Sequence, residues 1–202
     1  TQVGSSAASD VYKRQPKHNQ SAKSRSITLK NKINFEHKDQ YEWIVDGTPT
    51  DCVIFALNHI MNSSKPDLIL SGINAGSNIG DEVSYSGTVA AAMEGALRGI
   101  NSIALSQLGG DHKSNSYSCS MNYSVEIIKN LLKIKTKPPL YFNVNFPLNI
   151  SESNNSNFLY TKLASQKESD EIFVHNSESS YKIGRMLNSY QTTQETDMDA
   201  LS

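Results

Sequence analysis

The chain has 202 residues, room for one domain with extensions or two small ones. Its 19 basic and 20 acidic residues nearly cancel, so a reader of duplex nucleic acid through its phosphates is not expected. Two cysteines, Cys52 and Cys119, make no disulfide framework or zinc site, and no apolar run approaches the ~20 residues of a membrane span or forms a signal-peptide core. The expectation is a cytoplasmic protein in a reducing compartment, not bound to a membrane.

Residues 1–15 show neither helical nor strand periodicity, and are expected to be a non-native leader outside the fold. Residues 16–38 are basic, with six lysines and arginines against Glu36. Most simply these form a solvated edge. Short extended segments are predicted at 26–29 and around 41–45.

From Gly47 the pattern sharpens. Thr48 can cap a helix, Pro49 suits its first position, and Asp51 stands three residues after the cap. Val53, Leu57, Ile60 and Met61 follow at helical spacing, and Asn62 to Pro66 end the helix. The run from Asp67 to Leu70 reads as a strand buried on both faces, closing on Ser71-Gly72-Ile73-Asn74 and a long Gly/Asn/Ser loop.

A second helix is predicted from Gly87 to Gly99, then a strand over 102–106. A third helix carries Val125, Ile128 and Leu132 on one face, and Pro138-Pro139 stops it. Leu140, Phe142, Val144 and Phe146 then alternate with Tyr141, Asn143 and Asn145 as a strand. Met93 and Met121 read as core filler. Helix and strand alternate throughout, which predicts an α/β fold with helices on both faces of the sheet.

After Pro147 the pattern loosens. Residues 149–157 form a Ser/Asn linker, and 158–163 and 171–175 are expected to pair as an irregular hairpin. From Glu168 onward seven carboxylates face only Lys182 and Arg185, and the tail shows no closing element. Three segments are therefore expected: a leader over 1–15, an α/β domain over 16–157, and an arm with an acidic tail over 158–202.

Ligands of open α/β sheets bind at the carboxyl ends of the strands. The loop after Leu70 is such a place. Gly72, Gly76, Gly80 and Gly87 allow close backbone approach, and Asn74, Asn78, Asp81, Glu82 and Ser84 offer oxygens. Ser86-Gly87-Thr88 opens a helix whose free N–H groups and positive dipole end favour an anion. A plain Gly/Asn turn is the alternative. Neither GxxxxGK[ST] nor GxGxxG nor GxSxG occurs, and the five histidines lack metal-ligand spacing.

At these residues the chain resembles the SurE family of survival-protein phosphatases, the 5′/3′-nucleotidases. The resemblance rests on VDGTPTDCV (45–53), SGINAGSNIGDEVSYSGTVAAAMEG (71–95) and NVNFP (143–147). Asn19-Gln20-Ser21 with the segment 26–29, Thr161-Lys162-Leu163, and Thr196-Asp197-Met198-Asp199-Ala200 add to it, although Ala22 stands where the family usually has glycine. It spans roughly residues 16–202.

The resemblance implies a Rossmann-like three-layer sheet with a C-terminal β-hairpin arm that helps build a homodimer or homotetramer. It implies hydrolysis of nucleoside 5′- and 3′-monophosphates with a divalent cation, Mg²⁺ or Mn²⁺. Carried over, Ser21 and Asn74 would be metal ligands, and Asn19, Asn78, Ser86, Gly87 and Thr88 would hold phosphate. The family's adjacent aspartate pair has no counterpart: Asp10 stands alone, with no strand expected before it. This chain thus reads as an internal part of such a protein, inactive by itself. A phosphate-binding module without catalysis is the competing expectation.

Overall fold

The computed structural model describes residues 2–4, 11–18, 23–110, 117–134, 137–149, 158–165, 167–174, 181–188 and 195–201. The chain divides into two compact units, Thr1–Asn78 with Val83–Phe158, and Ile79–Glu82 with Leu159–Ser202.

The first unit is built on seven strands: β1 (Gln2–Gly4), β2 (Val11–Pro16), β3 (Phe35–Asp39), β4 (Glu42–Val45), β5 (Leu68–Ala75), β6 (Ser102–Gln107) and β7 (Tyr141–Phe146). Their order is β3-β4-β2-β1-β5-β6-β7. β5, β6 and β7 run parallel, as do β2 and β4, while β1 and β3 are antiparallel to their neighbours. The helices are α1 (Pro49–Phe55, continued by one wide turn over Ala56–Ile60), α2 (Gly87–Leu97) and α3 (Ser118–Leu132). The expected Rossmann-like α/β architecture is therefore the one formed.

Residue alternation along the strands assigns the two faces. Ile69 of β5 packs with Val53 and Ala56 of α1 and Ala91 of α2, and Ala104 of β6 packs with Val89 and Ala92 of α2. Their neighbours Ile103 and Leu105, with Phe146 of β7, pack against Cys119, Ile127 and Leu131 of α3. Successive side chains point to opposite faces of a strand, so one sheet serves two cores.

Local chemistry sets the helix starts. Thr48 accepts from Asp51 N and its own N donates to Asp51 Oδ2, a complete capping box. Asp51 also receives Thr28 N and Thr28 Oγ1, at 3.0 and 2.7 Å, so the cap fastens the preceding loop as well. α3 lacks a side-chain cap of its own; Gln107 at the end of β6 supplies one, its Oε1 accepting from Ser120 N at 2.8 Å.

Several expectations fail here. Residues 1–15 do not stand outside the fold: Gln2–Gly4 and Val11–Pro16 are strands of the sheet. Arg14 is fully buried against Trp43, its guanidinium carbon 3.7 Å from the ring centroid, and it donates to the carbonyls of Lys13 and Tyr41. A strand thus does precede Asp10, which itself lies outside the described residues. No strand forms over 26–29, where the loop is spent on the Asp51 cap instead. The strand expected to end at Leu70 runs on to Ala75 through a register shift between Ser71 and Asn74. Gly72 permits this, at φ 125°, because a Cβ there would collide with the backbone oxygen of Leu105.

The buried row of α3 also differs. Of the expected row, Ile128 packs against the core while Val125 and Leu132 are 58% and 44% exposed and Met121 68%; Cys119, Ile127 and Leu131 are the buried residues that face the sheet. Docking chose the side that meets Ile103 and Leu105.

In the second unit, β8 (Lys167–Val174) and β9 (Tyr181–Asn188) pair antiparallel as the expected C-terminal hairpin. Its strands are not the expected 158–163 and 171–175 pair; Lys162 instead bridges Thr196. The tail carries a short helix, α4 (Asp197–Leu201), with Thr196 Oγ1 donating to Asp199 Oδ2 at 2.7 Å. Asp197 is buried because its two carboxylate oxygens accept from Gly80 N and Ala164 N, both at 2.8 Å. Those bonds replace the water that an ionised group would otherwise need.

Candidate functional site

The carboxyl ends of β5, β6 and β7 bring together residues far apart in sequence. The ladder pairs Asn74 with Ser106, and Ser106 with Asn145, so an amide, a hydroxyl and an amide stand in one row across three parallel strands. Nothing apolar interrupts this row.

The loop leaving β5 turns back onto it at Asn78. The Asn78 N–H donates to Asn145 Oδ1 at 2.7 Å, and its carbonyl accepts from Asn143 Nδ2 at 2.7 Å and Asn145 Nδ2 at 3.0 Å. Its side-chain Nδ2 donates to Ser106 Oγ at 2.6 Å. Asn78 is consequently buried, 7% exposed, with its peptide and its amide both engaged.

Asn74 sits at the start of that loop. Its Nδ2 donates to the Gly76 carbonyl at 2.8 Å, and Oδ1 is the acceptor of the amide. Further along, Gly80–Tyr85 form a single 3₁₀ stretch leading to Ser86. Ser86 caps α2, its Oγ accepting from Val89 N at 3.2 Å. Gly87 is buried and Thr88 half-buried in the first turn, whose N–H groups have no intrahelical carbonyl to reach. An anion is favoured at such an end.

Of the residues expected in the site, Asn74, Asn78, Ser86, Gly87 and Thr88 occur on this one connection between β5 and α2. Asn19 and Ser21 lie outside the described residues. Sequence reading missed Ser106, Asn143 and Asn145. The available signal was two asparagines at i and i+2 on one face of an otherwise apolar strand, since a buried amide demands partners.

The thiols are inert by comparison. Burial pushes Cys52 from 9.0 up to about 12, and burial also raises Cys119. Neither is set up as a nucleophile. Among the described residues no group of three or more His, Cys, Asp and Glu side chains is placed to hold a metal ion. No helix among them is long and apolar enough to cross a membrane.

Fold and site together define a class: a Rossmann-like α/β protein whose polar loop, at the carboxyl ends of its parallel strands, feeds the N-terminus of a helix. The sequence model of the Survival protein SurE family matches residues 2–170, so the chain belongs to that family. The match begins within residues 1–15, earlier than the motifs quoted above.

Relatives named 5′-nucleotidase SurE include that of Methylorubrum populi, 40% identical over 140 residues, covering 68% of this chain and 55% of the relative. That of Wolbachia pipientis is 43% identical over 148 residues, 72% of this chain and 57% of the relative. That of Paramagnetospirillum magneticum is 36% identical over 170 residues, 84% and 65%. This chain therefore spans little more than half the length of most of these relatives. The crystal structure of the SurE protein from Aquifex aeolicus aligns over 93% of this chain and 76% of its own, with TM-score 0.73 and 30% identity.

Proposed function

We propose that the chain is the phosphate-binding core of a metal-dependent phosphatase, one that hydrolyses nucleoside 5′- and 3′-monophosphates to nucleoside and phosphate. The observation that carries this reading is the connection from β5 to α2. It places Asn74, Asn78 and the Ser86-capped first turn of α2 in succession, on a loop pinned to the carboxyl ends of β6 and β7. The names of the relatives supply the substrate class.

The chain's own residues bind and orient in this scheme. The N–H groups of Gly87 and Thr88 and the Thr88 hydroxyl receive the phosphoryl oxygens, with Asn19 and Asn78 as the amide contacts. Ser86 keeps the first turn in register by capping it. Ser21 and Asn74 are the oxygen ligands assigned to Mg²⁺ or Mn²⁺.

What the described residues offer such an ion is the neutral oxygen of Asn74. A hard dication needs several oxygens, usually with carboxylates to offset its charge. The described donor set does not meet that requirement by itself. The same observation favours a second reading, in which this polypeptide holds a nucleotide or phosphate without cleaving it.

Two free, buried thiols suit a reducing cytoplasm. In the second unit Leu159, Tyr160, Leu163 and Phe173 are exposed, between 54% and 78%. That apolar display supports an arm that joins copies into a homodimer or homotetramer.

The decisive assay compares two polypeptides, this chain and one extended to the relatives' full length. The extended protein is expected to release phosphate from nucleoside monophosphates with Mn²⁺ and to stop on chelation. The 202-residue chain is expected to bind inorganic phosphate but turn over slowly. Brisk turnover by the 202-residue chain with Mn²⁺ overturns the ligand assignment. No phosphate binding by either polypeptide overturns the function.

A further inference from the structure

Asn143 and Asn145 occupy a strand whose alternate residues Phe142, Val144 and Phe146 pack in the core against α3. On the other face their register neighbours in β6 are Ala104 and Ser106. A small or apolar residue would complete such a face with no polar group to satisfy. Two amides stand there instead, and they converge on one peptide group outside the sheet, that of Asn78.

Asn145 reads both the N–H and the carbonyl of Asn78, doing with a side chain what a neighbouring strand does in a ladder. Asn143 adds a second donor to the same carbonyl at 2.7 Å. Its own Oδ1 is buried without a hydrogen-bond partner. An orphaned acceptor is a cost to stability, so holding Asn78 is maintained against that cost. Residues that break a packing rule in this way mark function more than fold.

We infer that Asn145, seconded by Asn143, is a positioning residue for the phosphate subsite. It acts through the Asn78 peptide, fixing the turn that leaves β5, and so the approach to Ser86, Gly87 and Thr88. Ser106 completes the device by orienting the Asn78 amide: its Oγ takes one of the two Nδ2 hydrogens, and the other stays available to an anion. This rests on the phosphate reading above and gives a role to two residues of the NVNFP motif, and to Ser106, that the sequence reading left without one.

The test uses the 202-residue chain, inorganic phosphate as probe, and amide signals of Asn78, Gly87 and Thr88 in NMR. Asn145→Ala is expected to speed hydrogen exchange at the Asn78 amide. Losing two hydrogen bonds to the loop is expected to raise the phosphate Kd on the order of tenfold. Asn143→Ala is expected to do the same to a smaller extent. Leu131→Ala, on the α3 side, lowers Tm at least as much and leaves the phosphate Kd unchanged, which separates positioning from plain stability.

A phosphate Kd within twofold of the parent in folded Asn145→Ala overturns the inference, whatever the exchange rates show. So does unfolding of both asparagine variants, since the residues would then serve the fold alone. Absence of phosphate binding in the parent chain overturns the inference before any variant is made, and its absence in the extended polypeptide as well overturns the phosphate reading itself.

Discussion

The two faces of the sheet use the same strands for different ends. Towards α3 the strands present Ile103, Leu105, Phe142, Val144 and Phe146, large side chains in a continuous apolar layer. Towards α1 and α2, β5 presents Ile69, while β6 and β7 present Ser102, Ala104, Ser106, Asn143 and Asn145, small or polar residues. The bulky face makes stability, because buried apolar area is what holds a domain together. The small face lets α2 approach closely, and at its carboxyl end it holds the loop that carries the site. Period-two alternation lets a single strand supply both.

Each face also buries one thiol, Cys52 in α1 and Cys119 in α3, which gives the largest expected effect. With Cys52 held at about 12, its thiolate population at pH 8 falls on the order of a thousandfold below that of a thiol at its ordinary value. Labelling with a disulfide reagent at pH 8 should be slow for both cysteines in the folded protein and fast in denaturant. The sign for stability follows. The folded state keeps the Cys52 proton where the unfolded chain releases it, so the thiol's contribution is full below pH about 9 and is lost as pH rises towards 12. Fast native labelling of Cys52 at pH 8 would show that α1 opens readily.

Removing bulk from the α3 face comes next. Phe146, 2% exposed, sits in that cluster, and Phe146→Ala is expected to cost about 3–5 kcal/mol in denaturant unfolding. The phosphate affinity of the folded fraction should stay unchanged. A combined loss of both would mean that the two faces are not separable.

Adding bulk to the α2 face should hurt less, yet touch both properties. A Cβ on Gly95 would lie 2.7 Å from Ile69 Cδ1 and press on Ser102 Oγ, so these side chains or α2 itself must shift. Gly95→Ala is expected to cost about 1–3 kcal/mol by overpacking. Because α2 carries the subsite at its N-terminus, phosphate binding should weaken as well, as calorimetry would show.

Smaller still is Thr88→Ala, expected to weaken phosphate or vanadate binding by about 1 kcal/mol, one hydrogen bond, with Tm preserved. An unchanged inhibition constant removes the hydroxyl from the subsite. The least effect belongs to Val125→Ala on the solvent side of α3. With 58% exposure it should stay within about 0.5 kcal/mol of the parent, which a larger shift would contradict by implying a covering partner.

Much of this organisation is legible in the sequence wherever the cause is local. Thr48-Pro49-Thr50-Asp51 encodes α1 because cap, proline and carboxylate act within four residues. Ser86 before an alanine-rich run encodes α2, and the alternation from Leu140 to Phe146 encodes β7. The family signatures lie on these same segments, so the fold class and the loop that carries Asn74, Asn78 and Thr88 could be read without coordinates.

Only the tertiary structure decided matters that depend on what a residue meets across the chain. On α3, contact with Ile103 and Leu105 buried Ile127 and Leu131 and took in Ile128, while Val125 and Leu132 of the same expected row stayed exposed. Arg14 lies in a stretch without periodicity, yet becomes core because Trp43 from another strand covers it. Asn78 has the composition of a ligand residue, and it takes Asn143, Asn145 and Ser106, some 28 to 67 residues away in sequence, to show that its peptide is held by the sheet. Short-range hydrogen bonds and periodicity are written in neighbouring letters; long-range partners are chosen by the packing of the whole domain, where many local patterns compete for the same buried surface.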